Sequence, residues 1–143
     1  MSEVTNIPPP PQDGEPWQLP GFDRLYGLDI THISADEAHA NVQVRDDLLQ
    51  PAGLVHGGVF ASMAESLASA ATWYGVAREG RVAQGLANQT SFLRPILSGT
   101  IRAVARCRHR GRTTWVWEVD ILDDADRVCA LVRMTIAVRD APA

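Results

Sequence analysis

A long stretch with a single charged residue constrains the fold of this chain more than any other feature. Residues 48–77 contain no Asp, Glu, Lys or Arg except Glu65. From Val59 onward the stretch is rich in Ala, Ser, Leu and Met, which favours a helix over a strand. A membrane span needs about twenty apolar residues without a charge near the middle, and Glu65 and His56 interrupt this run. The pattern therefore predicts a helix buried in a globular core, with one carboxylate inside it.

Segments with alternating apolar and polar residues lie on both sides of this helix. Residues 27–45 alternate about a central break, as in a hairpin, and residues 81–140 read as long strands. Turn residues separate these strands at Ala35–Asp36, Ser98–Gly99, Gly111 and Asp123–Asp126. The order is a hairpin, one long helix and then a meander of three or four strands. An antiparallel sheet wrapped around the helix would bury it, so we predict an α+β fold.

Composition limits the organisation and the partners of the chain. Its 143 residues are 45% hydrophobic, which indicates one globular domain. Most of the nine prolines fall in residues 1–20, which we expect to be a disordered tail preceding a domain over residues 21–143. A formal net charge of −4 without a basic cluster argues against nucleic acid or an anionic membrane as a partner.

The cysteines and the first residues bear on the compartment. Cys107 and Cys129 lie in strand-like segments without a CxxC pattern or a histidine at ligand spacing, so we expect reduced thiols and no metal site. The opening residues lack the positive start and the apolar region of a secretory signal. We therefore expect a cytoplasmic protein.

The sequence resembles acyl-CoA thioesterases of the hotdog superfamily, whose fold is a sheet around one central helix. The resemblance begins with HGG at residues 56–58 followed by the carboxylate of Glu65. It extends to QTSFLRP, GRTTWVWEV and DDADRVCALVRMTIAVR, and covers the chain from about Gly27 to Arg139. HGG alone is weak evidence, but Gln50, His56, Gly57, Glu65 and Ser69 together match the glutamate-dependent 4-hydroxybenzoyl-CoA thioesterase subgroup, which is PaaI-like.

The resemblance implies a role for each of these five residues. Glu65 would be the nucleophile that attacks the thioester carbonyl, or the base that activates water. The amide of Gly57 would polarise the thioester C=O at the positive end of the helix. His56 would position the reacting groups, Gln50 would donate to the thioester oxygen or the water, and Ser69, one turn after Glu65, would hold the carboxylate or a water.

The resemblance also implies that Arg94, Arg112 and Thr113 contact CoA. Guanidinium and hydroxyl donors suit its phosphates. The chain departs from the subgroup at position 112, where the relatives have a small hydroxyl residue, and at the C-terminus, where RDAPA replaces a basic tail. The alternating Trp115 and Trp117 are expected in the core or at a subunit interface.

The predicted function is the hydrolysis of an aromatic, 4-hydroxybenzoyl-CoA-like thioester to a free acid and CoA. Four alternatives stay open: a thioesterase for 1,4-dihydroxy-2-naphthoyl-CoA, a broad-range acyl-CoA thioesterase, a non-catalytic acyl-CoA-binding module and a hotdog dehydratase. No cofactor is expected, since CoA belongs to the substrate. A single hotdog sheet leaves a long edge strand unpaired, so we expect a homodimer, and a dimer of dimers, with the site at the subunit boundary.

Overall fold

The computed structural model of the protein describes residues 11–12 and 14–142, and it contains two α-helices and six strands in that part of the chain. The elements are α1 (Gly21–Tyr26), β1 (Asp29–Ile33), β2 (Glu37–Gln43), α2 (Gly57–Val76), β3 (Arg81–Phe92), β4 (Thr100–Arg110), β5 (Thr114–Leu122) and β6 (Val128–Asp140). The α+β fold predicted from the sequence, one sheet around a long central helix, is confirmed.

The long helix α2 forms where the sequence predicts it and buries one face. Its apolar residues recur at helical spacing, and Met63, Ala64, Leu67 and Ala68 are fully buried. A short 3-10 segment follows and ends at Gly80, whose φ of 72° is a left-handed conformation that glycine adopts without strain. The residues of α2 outside this buried face are half-buried, apart from Glu65, which is exposed.

The six strands form one antiparallel sheet in the order β1-β2-β4-β5-β6-β3. The hairpin of β1 and β2 and the meander of β4, β5 and β6 follow the predicted turns. The strand after the helix, β3, does not pair with its sequence neighbour β4. Instead β3 pairs with β6 along its whole length and forms one edge of the sheet. The meander therefore contains three strands rather than four.

The concave face of the sheet packs against α2. Trp117 is fully buried, and its indole Nε1 donates to Thr72 Oγ1 on α2 at 2.8 Å. This bond satisfies two polar groups that would otherwise be unpaired in the core. Trp115 is also buried, so the expected core position of both tryptophans is confirmed. Cys129 is a buried free thiol on β6, and Cys107 is a half-buried one on β4.

Part of the proline-rich segment lies against this core. The ring of Trp17 lies 5.9 Å from that of Trp73 between centroids, and Leu19 also packs on the core. Residues 1–10 and 13, which belong to the predicted tail, lie outside the described residues. The domain boundary at residue 20 remains a prediction, but a domain that includes Trp17 and Leu19 accounts better for these contacts.

Candidate active site

The N-terminal turn of α2 presents an amide without a partner. His56 caps the helix, and its Nδ1 accepts a hydrogen bond of 2.8 Å from the Gly58 amide. The Gly57 amide makes no hydrogen bond to any other described residue. Because His56 Nδ1 is an acceptor, the proton of the neutral ring lies on Nε2, which is then a second donor at this turn. Two donors at the positive end of a 20-residue helix are suited to an oxygen that gains negative charge.

Phe92 explains why position 57 is a glycine. A β-carbon at Gly57 would lie 2.6 Å from Cε1 of the Phe92 ring, which is closer than two carbon atoms can approach. The ring nevertheless keeps 59% of its surface exposed. The last residue of β3 thus lies against the first residue of α2, and the absence of a side chain at Gly57 allows this close approach.

A cleft of about 640 Å³ opens at this turn, and we call it the first cleft. Four of the residues predicted for the site line it, together with Phe92: they are Gln50, His56, Gly57 and Arg94. Gln50 Oε1 accepts from the Ala52 amide at 2.6 Å, which leaves its side-chain NH2 as the donor end. Arg94 is fixed through its backbone, where its amide donates to the Cys129 carbonyl at 3.1 Å, and its side chain is exposed. The first cleft therefore combines amide, imidazole and guanidinium donors with apolar walls.

Glu65 is exposed rather than buried, which corrects the expectation drawn from its apolar surroundings. It lies beside β3, the strand at one edge of the sheet. A β-carbon at Gly85 would lie 3.7 Å from Glu65 Cγ, so the glutamate stem packs beside the middle of β3. Ser69 follows one turn later on the same face and is half-buried.

Glu65 and Gly57 are far apart within one chain. The eight steps from Gly57 to Glu65 correspond to about 12 Å along the helix axis. The contacts with β3 follow the same order, because Gly57 lies at Phe92 whereas Glu65 lies at Gly85. One protomer therefore places its unpartnered amide and its carboxylate at separate points along the side of α2 that contacts β3.

The three residues expected to contact CoA are also separated. Arg94 follows the end of β3, whereas Arg112 and Thr113 form the turn between β4 and β5. Arg81, at the start of β3, donates to the Arg112 carbonyl at 2.6 Å. The 11 steps from Arg81 to Phe92 along β3 thus separate the two groups by roughly 36 Å at 3.3 Å per residue. A single protomer does not bring them together.

A second cleft, of about 560 Å³, lies on the other side of the same helix turn. His56 and Gly58 line both clefts. The other walls of the second cleft include Phe22 and Leu25 of α1 and Val59 of α2. Phe22, Leu25 and Phe92 are not among the site residues predicted from the sequence. What distinguishes these three residues is a large apolar side chain that is exposed, by 63%, 72% and 59% respectively. The sequence pattern does not show this exposure.

The described residues support neither a metal site nor a membrane-spanning helix. In that part of the chain no three His, Cys, Asp or Glu side chains converge as a metal site would require. Across the same residues no helix is long and apolar enough to cross a membrane.

Comparison with known proteins assigns the family. The model of the thioesterase superfamily matches residues 52–130, which include the helix turn, Glu65 and most of the sheet. The chain belongs to the thioesterase superfamily. Its architecture is the hotdog fold, and its membership is consistent with a thioester hydrolase.

Three relatives illustrate the similarity. A protein of Mycobacterium tuberculosis, Rv1847, is 45% identical over 111 residues, which cover 76% of this chain and 79% of the relative. Its solved structure superposes with a TM-score of 0.81 at 41% identity and covers 85% of this chain and 98% of that one. The proofreading thioesterase EntH of Klebsiella pneumoniae is 35% identical over 78% of this chain and 81% of its own. The PaaI protein of the Escherichia coli phenylacetic acid degradation operon is 26% identical, with a TM-score of 0.75 and coverage of 83% and 84%.

Proposed function

We propose that the protein hydrolyses an acyl-CoA thioester in a site that two protomers build together. The observation that carries the proposal is the separation of Gly57 and Glu65 on one helix. Both residues lie on the side of α2 that contacts β3, the edge strand of the sheet, and neither has the other within reach. A second, antiparallel copy of α2 would bring its Glu65 toward the Gly57 amide of the first.

The edge of the sheet supports such a dimer. β3 is a 12-residue strand with one side unpaired, and Leu86 in its middle is 59% exposed. Long, apolar edge strands pair with other chains unless something covers them. Pairing of two β3 strands would continue the sheet across the dimer, and hotdog thioesterases commonly oligomerise.

The structure suggests where the two-fold axis would pass. Ala61 is halfway between Gly57 and Glu65, and its carbonyl accepts a hydrogen bond of 3.0 Å from Asn88 Nδ2 on β3. A two-fold axis between the two β3 strands, at the level of Asn88, would therefore bring Glu65 of one protomer level with Gly57 of the other. The same axis would carry the partner's Arg112 and Thr113 from the far end of β3 toward Arg94.

Within this site each predicted residue has a chemical task. The Gly57 amide would donate a hydrogen bond to the developing oxyanion, with His56 Nε2–H and the Gln50 amide group as further donors. The partner's Glu65 would attack the thioester carbon and release CoA as thiolate, giving an anhydride that water cleaves, or it would take a proton from the attacking water. Ser69 of that protomer would hold the carboxylate or the water. Glu65 is exposed in the isolated protomer and is therefore accessible for either route.

For the acyl group we propose an aromatic acid of the 4-hydroxybenzoyl type. The support is the resemblance to that subgroup and the similarity to PaaI, whose name places it in phenylacetic acid degradation. The subgroup includes thioesterases for 1,4-dihydroxy-2-naphthoyl-CoA, so that ester is the second candidate. We further propose a cytoplasmic enzyme that needs no cofactor.

The test compares Glu65→Gln with the wild type and with Glu118→Gln, a matched exposed glutamate on β5. Thiol release from 4-hydroxybenzoyl-CoA should fall at least about a hundredfold in Glu65→Gln, the lower range for loss of a positioned acid or base, while Glu118→Gln stays at the wild-type rate. Glu65→Asp should lose about a hundredfold as well, since it withdraws the carboxylate by about 1.5 Å. Near wild-type hydrolysis by Glu65→Gln would refute the mechanism. A wild type that binds acyl-CoA without releasing thiol would indicate a binding module or, if it dehydrates 3-hydroxyacyl-CoA, a dehydratase.

A further inference from the structure

The sheet has a second edge, which is formed by β1 at the end opposite to β3. β1 pairs with β2 on one side, and its other side faces away from the sheet. The outer side of an edge strand presents N–H and C=O groups that can pair with another chain. If two protomers join through β3, their two β1 strands become the outer edges of the continuous sheet. Each dimer would then carry two further edges at which it could associate.

Residues 14–17 lie along this second edge. They form one wall of a cleft whose other wall is made of four consecutive residues, 30–33, at the end of β1. Consecutive residues of a strand point to opposite faces of the sheet, and Ile30 is buried whereas His32 is exposed. A cleft that residues from both faces line must lie at the edge of the strand. The N-terminal segment therefore runs beside β1 rather than over one face of the sheet.

Aromatic and apolar contacts with the core anchor this segment. The ring of Trp17 lies 5.9 Å from the ring of Trp73 on α2, with the two planes inclined at 50°, and Leu19 packs against the core close by in sequence. Within residues 14–33 no backbone hydrogen bond joins residues 14–17 to β1. The segment thus occupies the space next to β1 without adding a strand to the sheet.

The position of the segment conflicts with pairing between two copies of β1. A strand paired with β1 would lie about 4.8 Å away, in the cleft, and the neighbouring strand β2 of the same copy would lie a similar distance beyond it. That second position is on the side of the cleft where residues 14–17 lie. Two copies could therefore join their β1 edges only if the segment moved away. β1 is otherwise suited to pairing, since three of its five residues, Ile30, Thr31 and Ile33, are β-branched.

We propose that residues 14–19 act as a guard segment, which prevents β1 from pairing with β1 of a second copy and restricts assembly to the β3 edge. The two edges differ in the way that this role requires. The guard segment lies along β1, whereas β3 leaves Leu86 in its middle 59% exposed. The inference concerns assembly, so it goes beyond the proposed function and does not depend on hydrolysis of a thioester.

The experiment measures the mass of the full-length protein by sedimentation velocity over a wide range of concentration. The wild type should keep one mass. Trp17→Ser removes the anchor of the guard segment, and Trp17→Ser/Trp73→Ser removes both rings, so that no indole is left exposed at this place. Both variants should form species of at least about twice the wild-type mass as the concentration rises, because the two-fold pairing of β1 joins complete oligomers. Phe22→Ser is the matched control, since it removes a 63% exposed aromatic ring from the neighbouring helix α1, and it should keep the wild-type mass.

A substitution in β1 tests whether this strand forms the new contact. Thr31 is exposed at the centre of β1, and a lysine on an edge strand opposes pairing with another strand. Adding Thr31→Lys to Trp17→Ser should restore the wild-type mass, whereas aggregation through unfolding would persist. An unchanged mass in both Trp17 variants, an equal increase in Phe22→Ser, or an increase that Thr31→Lys does not reverse would overturn the role of the guard segment. Thiol release is measured separately, and a wild type without it would refute the proposed function while leaving the guard segment unaffected.

Discussion

The separation of Gly57 and Glu65 predicts that two inactive variants restore each other. One protomer carries Glu65→Gln, and the other carries Gly57→Pro. Proline removes the amide proton at the first helical position, where its fixed φ suits the helix, and the preceding His56 has the extended backbone that a following proline favours. Gly57→Ala is the matched control, since it adds a similar β-carbon against Phe92 but keeps the amide proton.

The distances decide between a site within one protomer and a site across two. Over eight residues α2 rises about 12 Å, and an extended glutamate spans roughly 5 Å from Cα to its oxygens, so at least about 7 Å remains. A carboxylate that attacks a carbonyl held by the Gly57 amide must lie within about 6 Å of that nitrogen. Glu65 also packs beside Gly85 instead of extending toward Gly57. Since a misplacement of about 1 Å can cost a hundredfold, the site should need Glu65 from the partner.

The assay uses hybrids that are co-expressed with two different affinity tags and purified in tandem. The Glu65→Gln homodimer should lose at least about a hundredfold in kcat and the Gly57→Pro homodimer about 10² to 10³-fold relative to Gly57→Ala. The hybrid should recover about half of the wild-type kcat, because one of its two symmetry-related sites combines an intact Gly57 with an intact Glu65. A second hybrid, of wild type with a protomer that carries both substitutions, should be inactive.

The opposite pattern would refute the reasoning. If each site used Gly57 and Glu65 of one chain, the first hybrid would stay inactive and the second would keep about half of the activity. Thermal unfolding and light scattering of both hybrids verify that the same oligomer is compared.

Two predictions concern stability. Thr72→Val should lower the free energy of unfolding by about 1–3 kcal/mol, because it leaves the buried Trp117 indole N–H without an acceptor, and urea denaturation should show Thr72→Ser to be less affected. Equal stability of the two variants would contradict this account. The backbone amide of Arg127 donates a hydrogen bond to the Asp123 carboxylate, and the Arg127 guanidinium donates a second one. These two bonds, the backbone one above all, lower the pKa of that carboxyl below its ordinary value of 3.8. The resulting stabilisation is present above about pH 4 and is lost as the pH falls through the folded pKa, so thermal unfolding of Asp123→Asn should depend less on pH below 4 than that of the wild type.

The comparisons support the sequence-based expectations at the level of family and fold, and the site roles remain predictions. The thioesterase family and the hotdog fold are confirmed, whereas the 4-hydroxybenzoyl subgroup, the aromatic substrate and the role of Glu65 await the experiments above. The structure corrects one expectation about a particular residue, because Glu65 is exposed.

The sequence by itself determined the local elements of this protein, because each depends on residues that are close along the chain. The apolar spacing of α2, the HGG turn before it and the alternation of the strands all arise in this way. Only the tertiary structure decided that β3 leaves its neighbour to pair with β6, that Phe92 lies over Gly57 and that α1 walls a second cleft. These contacts join residues that are far apart in sequence, and they form where the whole sheet closes around α2. A strand of alternating apolar and polar residues does not indicate locally which other strand it will pair with. Its pairing and its exposure therefore follow from the packing of the complete fold.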